Sequence, residues 1–278
     1  MDDDQIVLRI APPDDSVFVF YEVDMMRQEP DLHALLRSKT NLPVAEILAY
    51  DNHCDLIDRD YMLMERLPGY PLTEARNVDN RFVMWQVGQY LAELHQLQDD
   101  KYGYLGAHHP MEPEPNWSNA FRVMWNKMID DISSIGYYDE KVSACMRSLL
   151  DDRLEHFERP VAASLLHMDI WHQNILVDHT GKITGIVDWD RALWGDPEIE
   201  FSVLDFCGIS SQAFWDGYGS LRENSPEAIL RNTFYILYEL QKYIVIRHGR
   251  NHAPARAKNY QAQVLNFANQ IAKTSILG

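Results

Sequence analysis

Three side chains set the chemistry open to this sequence: Asp169, Asn174 and Asp188. An apolar lead, Val161 to Leu166, gives way to a polar loop holding His167, Asp169 and Asn174. Two short apolar runs follow, Ile175 to Val177 and Ile183 to Val187, joined by Asp178-His179-Thr180-Gly181. Two apolar runs around a Gly-containing four-residue turn read as a β-hairpin. The hairpin ends in Asp188, with Asp190 two residues on. Two acids and an amide therefore stand at the ends of buried strands, where side chains are held still and reach a cleft. Phosphoryl transfer needs that set. Its transition state demands positioning and neutralised charge more than covalent chemistry. One Asp accepts the proton of the attacking hydroxyl, while an Asn and a second Asp hold the magnesium that bridges the phosphates.

The loop fits H-x-D-x-x-x-x-N, the pattern of kinase catalytic loops, through His167, Asp169 and Asn174. Ile186-Val187-Asp188-Trp189 follows at hairpin spacing, and Gly195-Asp196-Pro197 after it. On these motifs the chain resembles the aminoglycoside phosphotransferase (choline-kinase-like) family. The resemblance implies an α+β, two-lobed, protein-kinase-like fold, with ATP and Mg2+ as cofactors and a hydroxyl of a small molecule as acceptor. It implies that Asp169 is the base or hydroxyl-orienting group, that His167 fixes the loop, and that Asn174 and Asp188 are the metal ligands. It divides the chain into a small β-rich nucleotide-binding lobe, residues 1–68, and a large, mainly helical catalytic lobe, residues 69–278.

Within the small lobe, the resemblance puts Arg9 in the place of the phosphate-contacting strand lysine and Glu29 as its partner. The residues alone leave Arg9 equally readable as an edge-strand charge, and Glu22 competes with Glu29. Met64-Glu65-Arg66-Leu67-Pro68-Gly69 resembles the linker between lobes, where backbone around Glu65 and Leu67 hydrogen-bonds adenine. Two departures stand out. No glycine precedes Gly69, so there is no Gly-rich loop, and no lysine precedes Lys39. With so little chain before Arg9, either the start lies upstream or the lobe lacks its first hairpin. Two other readings use the same residues. One is a non-catalytic, kinase-shaped nucleotide- or ligand-binding protein. The other is a metal-dependent hydrolase built on His167, Asp169 and His172.

The elements that must hold these residues are legible in outline. Gln5 to Ile10 reads as a strand, followed by a turn at Pro12-Pro13-Asp14-Asp15, and Val17 to Tyr21 extends or pairs with it. Glu22 to Arg37 reads as a helix that Pro30 must bound or kink. Ala45 to Tyr50 and Tyr61 to Glu65 read as strands. From Gly69 the pattern turns helical, with Arg81–Gln98 carrying Met84, Val87, Leu91 and Leu94 on one face. Further helices are expected over Asn119–Ile132, Asp139–Phe157, Glu198–Phe206, Ser211–Tyr218, Pro226–His248 and Ala255–Ala272. Trp117, Phe121 and Trp125 read either as acceptor-facing or as core. His95 reads as a core or capping histidine, Asp196 as a cap or brace, and Glu200 as a brace. Asp190 is either a second site carboxylate or a solvated turn residue.

Composition bounds the rest. At 278 residues with 46% hydrophobic content, the chain can bury a sizeable core. A net charge of −17 argues against a nucleic-acid substrate and suits a cationic small molecule drawn into an acidic cleft. No apolar run approaches the roughly 20 residues of a membrane span. The acidic start and the three scattered cysteines point to the reduced cytoplasm.

Overall fold

A computed structural model describes residues 5–13 and 17–274; the expected turn at Pro12-Pro13-Asp14-Asp15 lies partly outside the described residues. The chain opens with strand β1 (Ile6–Ile10), a 3-10 turn (Met25–Gln28) and helix α1 (Glu29–Lys39). Then come β2 (Ile47–Asp51), β3 (Tyr61–Glu65), β4 (Tyr70–Pro71), α2 (Asn80–Leu94) and β5 (Gln98–Asp99). Helices α3 (Trp117–Ser134) and α4 (Glu140–Asp151) precede β6 (Ala163–Leu166), β7 (Ile175–Val177), β8 (Ile183–Ile186) and β9 (Leu193–Gly195). Helices α5 (Pro197–Phe206), α6 (Gln212–Tyr218), α7 (Pro226–His248) and α8 (Pro254–Thr274) complete it.

Strands β1, β3 and β2 form an antiparallel sheet in that order, with Arg9 opposite Met62. The expected hairpin is present as β7 and β8, and β4 pairs with β7 to make a second small sheet. The chain passes from the first sheet to the second through Arg66–Gly69. Gly69 takes φ 98°, and a Cβ there would stand 2.6 Å from the Val177 carbonyl oxygen. Only glycine fits that crossing. The third sheet, β5-β6-β9, carries β6 straight into the polar loop at His167.

Two expectations near the start need correction. Val17–Tyr21 neither extends β1 nor pairs with it. It enters the helical body, where Val19 is wholly buried and Tyr21 stacks on Tyr104 at 4.8 Å. The Phe20 amide there donates to Asp131 of α3 at 2.7 Å. Nor is Glu22–Arg37 one helix. Asp24 adopts φ 55°, outside the right-handed helix, and α1 begins only at Glu29. Pro30 sits in its first turn, where a missing N–H costs nothing. The burial of Val19 and Tyr21 outweighs the helix propensity of the residues after them.

The later helices fall close to expectation because side chains cap them. Asp79, Asn116, Asp139, Asp196 and Ser225 each accept an amide hydrogen bond at the start of α2, α3, α4, α5 and α7. Trp117, Phe121 and Trp125 are buried, so they belong to the core and not to an acceptor surface. They pack with Phe157, Phe234 and Tyr235 between α3 and α7, while a second cluster joins α2, α6 and the β7–β8 hairpin.

Helices α2 and α6 meet backbone to backbone. A Cβ on Gly88 would stand 2.1 Å from the Phe214 carbonyl oxygen, and one on Gly217 2.0 Å from that of Trp85. Gly88→Ala should cost about 1–3 kcal/mol by forcing the helices apart. In a chain of this size that is a melting temperature lower by roughly 2–10 °C in a calorimetric scan. An unchanged melting temperature would show that the pair separates freely.

Candidate active site

The polar loop after β6 is held from behind by one carboxylate. Glu200 of α5, fully buried, accepts the amide protons of His167 and Met168 at 2.9 and 2.7 Å through one oxygen. Its other oxygen meets His95 Nε2 at 2.8 Å, and His95 Nδ1 meets the Tyr218 hydroxyl at 2.8 Å. Glu200 is thus the brace expected of it, and His95 a core histidine. Removing a buried carboxylate with three partners strands donors without acceptors. Glu200→Ala should destabilise the fold by about 3–5 kcal/mol, and Glu200→Gln by less. Urea unfolding of both variants checks this, and a loss under 1 kcal/mol in Glu200→Ala would refute it.

His167 stands behind the loop. It accepts the Asp169 amide proton at Nδ1 (3.2 Å), its Nε2 donates to the Val187 carbonyl (3.1 Å), and its ring lies 4.3 Å from Trp189. Burial lowers its pKa. Both ring nitrogens are engaged, so His167 cannot ligate a metal, and the hydrolase reading loses its first ligand. Among the described residues, no group of three or more His, Cys, Asp or Glu is arranged to hold a metal ion.

Met168 takes φ 65°, turning the chain so that Asp169 projects forward. Asn174 Nδ2 donates to the Asp169 carbonyl at 2.9 Å and to Asp169 Oδ2 at 3.1 Å. Arg191 donates to Asp169 Oδ1 at 2.9 Å. Burial works against the charged carboxylate, but Arg191, Lys242 and His167 outweigh it and hold Asp169 below the usual range. It is ionised at neutral pH.

The β7–β8 hairpin delivers Asp188, also with a positive φ of 70°, beside the small sheet. Arg9 reaches across to it. Its guanidinium grips both oxygens of Glu29 at 2.8 Å, and its second nitrogen reaches Asp188 Oδ1 at 3.1 Å and Asp190 Oδ2 at 2.8 Å. Arg9 therefore pairs with Glu29 and not with Glu22, and it is more than an edge charge. Asp190 is only 5% exposed, so it is not a solvated turn residue. Burial pushes the Glu29 carboxyl up to about 8 against the pull of Arg9. Burial and the adjacent Asp190 push Asp188 up to about 7.

These groups open on one cleft of about 460 Å³, lined by Arg9, Glu29, His33, Glu65, Leu67, Asn174 and Asp188. Every residue expected at the nucleotide and metal positions lines it; Asp169 adjoins it through Asn174. Asn174 spends its amide nitrogen on Asp169, leaving the amide oxygen for a hard cation, and the Asp188 carboxylate is 40% exposed. Oxygen donors of this kind suit magnesium. Arg191 was not foreseen; its signal was a cation directly after two acids in Asp188-Trp189-Asp190-Arg191.

His33 behind this cleft is kept neutral. Its Nδ1 lies 2.9 Å from the Ala45 carbonyl, and burial lowers its pKa from the ordinary 6.5 to about 4. Between those values the unfolded chain binds a proton that the folded chain does not, so stability is lost as pH falls from 6.5 toward 4. His33→Gln should remove that part of the slope, up to about 1.4 kcal/mol per pH unit. Urea midpoints at several pH values measure it, and an unchanged slope would refute it.

A cleft between a small sheet and a helical body, with an Asp–Asn loop and a hairpin that runs out into Asp188, defines a kinase-like phosphotransferase. The chain belongs to the phosphotransferase enzyme family, whose model matches residues 2–228. The protein named "probable ketoamine kinase" of Vibrio vulnificus (strain CMCP6) is 28% identical over 219 residues, covering 74% of this chain and 69% of its own. The Escherichia coli hygromycin-B 4-O-kinase is 35% identical over 69 residues, covering 24% of this chain and 20% of its own. Among solved structures, the ternary complex of aminoglycoside phosphotransferase APH(4)-Ia with AMP-PNP and hygromycin B superposes with a TM-score of 0.63. It is 19% identical and covers 96% of this chain and 88% of the other, which shows the shared protein-kinase-like α+β fold. The chain is a small-molecule kinase of that family. Among the described residues, no helix is long and apolar enough to cross a membrane.

Proposed function

We propose that this kinase transfers the γ-phosphoryl group of ATP, with Mg2+, to a hydroxyl of a ketoamine or related small amine, and that Asp169 receives the hydroxyl proton. The observation that carries this reading is the placement of Asp169. Its carboxylate is ionised, held at one oxygen by Arg191 and at the other by Asn174, beside the cleft that Asp188 lines. The acceptor oxygen forms a bond to the γ-phosphorus as the bond to the β,γ-bridging oxygen breaks. The electron pair leaves with ADP, and the proton passes to Asp169.

Asn174 and Asp188 are the residues that would hold magnesium, which neutralises charge on the phosphates when bound. Arg9, fixed by Glu29, supplies a planar fork for phosphate oxygens in place of a lysine. The backbone around Glu65 and Leu67 receives adenine, and the lobes divide between residues 68 and 69. The ketoamine assignment draws on the matched relatives, and the net charge of −17 favours a cationic acceptor. The three cysteines of the chain are free thiols, in keeping with the cytoplasm, where ATP is supplied.

Transfer to fructosyl-lysine and to hygromycin B tests the reading directly. Asp169→Asn should lower kcat by about 100-fold or more while ATP still raises the melting temperature. Asp188→Ala should abolish the magnesium-dependent part of that thermal shift. A folded, nucleotide-binding protein with no transfer to any acceptor would indicate a kinase-shaped binding protein instead.

A further inference from the structure

The segment between β1 and α1 does more than link them, because it brings a buried carboxylate to the transfer site. Glu22 is 2% exposed. Its Oε2 accepts the Val19 amide proton at 3.1 Å, which fixes the side chain to its own turn. Its Oε1 accepts from Arg191 Nη2 at 3.4 Å and from Arg250 Nη2 at 2.8 Å. Arg191 in turn donates through Nη1 to Asp169. A continuous chain, Glu22–Arg191–Asp169, thus runs from the small-lobe connection to the proton acceptor.

The segment is anchored independently of this chain. Val19 and Tyr21 are sunk in the core of the helical body, and the Phe20 amide is tied to Asp131. Burying a carboxylate is costly unless it is paired. Val19 and Tyr21 anchor the segment by burial, and the Glu22 charge is met there by both Arg250 and Arg191. The Arg191 side chain is 12% exposed, and among the described residues its acidic hydrogen-bond partners are Glu22 and Asp169. A guanidinium held at both nitrogens is fixed in plane, and its grip on Asp169 then has one direction.

Resting on the kinase reading, we propose that Glu22 is a positioning residue for the transfer step. It holds Arg191 so that Asp169 Oδ1 is pinned and the carboxylate faces the incoming hydroxyl. The effect falls on the chemical step and not on nucleotide binding, because Glu22 does not line the cleft that Arg9, Asn174 and Asp188 share.

The test measures phosphate release from Mg-ATP with water as acceptor, together with transfer to fructosyl-lysine. Glu22→Gln should lower kcat by roughly 10- to 100-fold, leave KM for ATP within about twofold, and keep the Mg-ATP thermal shift. Glu22→Asp, which retains the charge one methylene short, should recover part of kcat. Arg250→Gln removes the other partner of Glu22 and should stay near wild-type kcat. Wild-type kcat in Glu22→Gln would overturn the inference, as would Glu22→Asp no better than Glu22→Gln. A loss in Arg250→Gln matching that of Glu22→Gln would reduce Glu22 to a fastening. Should Glu22→Gln fail to fold, Arg191→Lys carries the test: adding Glu22→Asp to it should lower kcat no further, and a further full drop would overturn the coupling. Failure of the kinase reading looks different, since the wild-type protein itself would then transfer no phosphate, with or without a nucleotide shift.

Discussion

One guanidinium joins the two halves of this molecule. Arg9 lies on the edge strand of the small sheet, yet its nitrogens reach Glu29 on α1 and both acids that follow β8. Three carboxylates share one cation. At neutral pH such a cluster is short of positive charge, and its energetics show it. Burial drives Glu29 up to about 8 even with Arg9 in bidentate contact, and Asp188 up to about 7 beside Asp190. A site in that condition favours any bound cation that adds charge between the carboxylates. On the proposed reading, the same constraint suits an arginine to the place of the strand lysine. An ammonium is a point charge, whereas the fork can hold Glu29 with one nitrogen and reach the hairpin with the other.

What was legible in the sequence was whatever rests on local rules. The hairpin carries its own turn chemistry, and the loop before it has fixed spacing between Asp169 and Asn174, so both were readable and fall beside the expected cleft. Helix starts were readable within a few residues because Asp79, Asn116, Asp139 and Ser225 cap in the ordinary way. The pairing of Arg9 with Glu29 was legible only as one of two options. Glu22 and Glu29 are the same residue type on the same side of Arg9, and only the path of the chain between them separates the two. That path is a tertiary fact. It depends on Val19 and Tyr21 finding a slot between α3 and α7 that is far away in sequence. Arg191 is hard to read for the same reason, since its one local signal, a cation directly after two acids, fits a solvated arginine equally well.

The β1–α1 segment also bears on how the lobes are held. In a two-lobed protein joined by one short linker, the lobes are expected to move relative to one another. Here a second connection crosses the gap. The chain leaves β1, enters the helical body at Val19, and returns to the small sheet through Asp24 and α1. The helix that carries Glu29 is therefore tethered at its start to the body that carries Asp169. Motion of the small sheet over the cleft must bend about Arg66–Gly69 on one side and about this segment on the other.

That geometry gives the two buried acids distinct jobs. On the proposed reading, Glu29 orients Arg9, which belongs to the small sheet, toward the nucleotide side of the cleft. Glu22 orients Arg191, which stays with the helical body, toward the acceptor side. The two acids flank a single turn of chain that changes direction at Asp24, φ 55°. A shift of α1 would therefore carry Arg9 through Glu29 while Arg191 keeps its place through Glu22, so the two cations would part about Asp24.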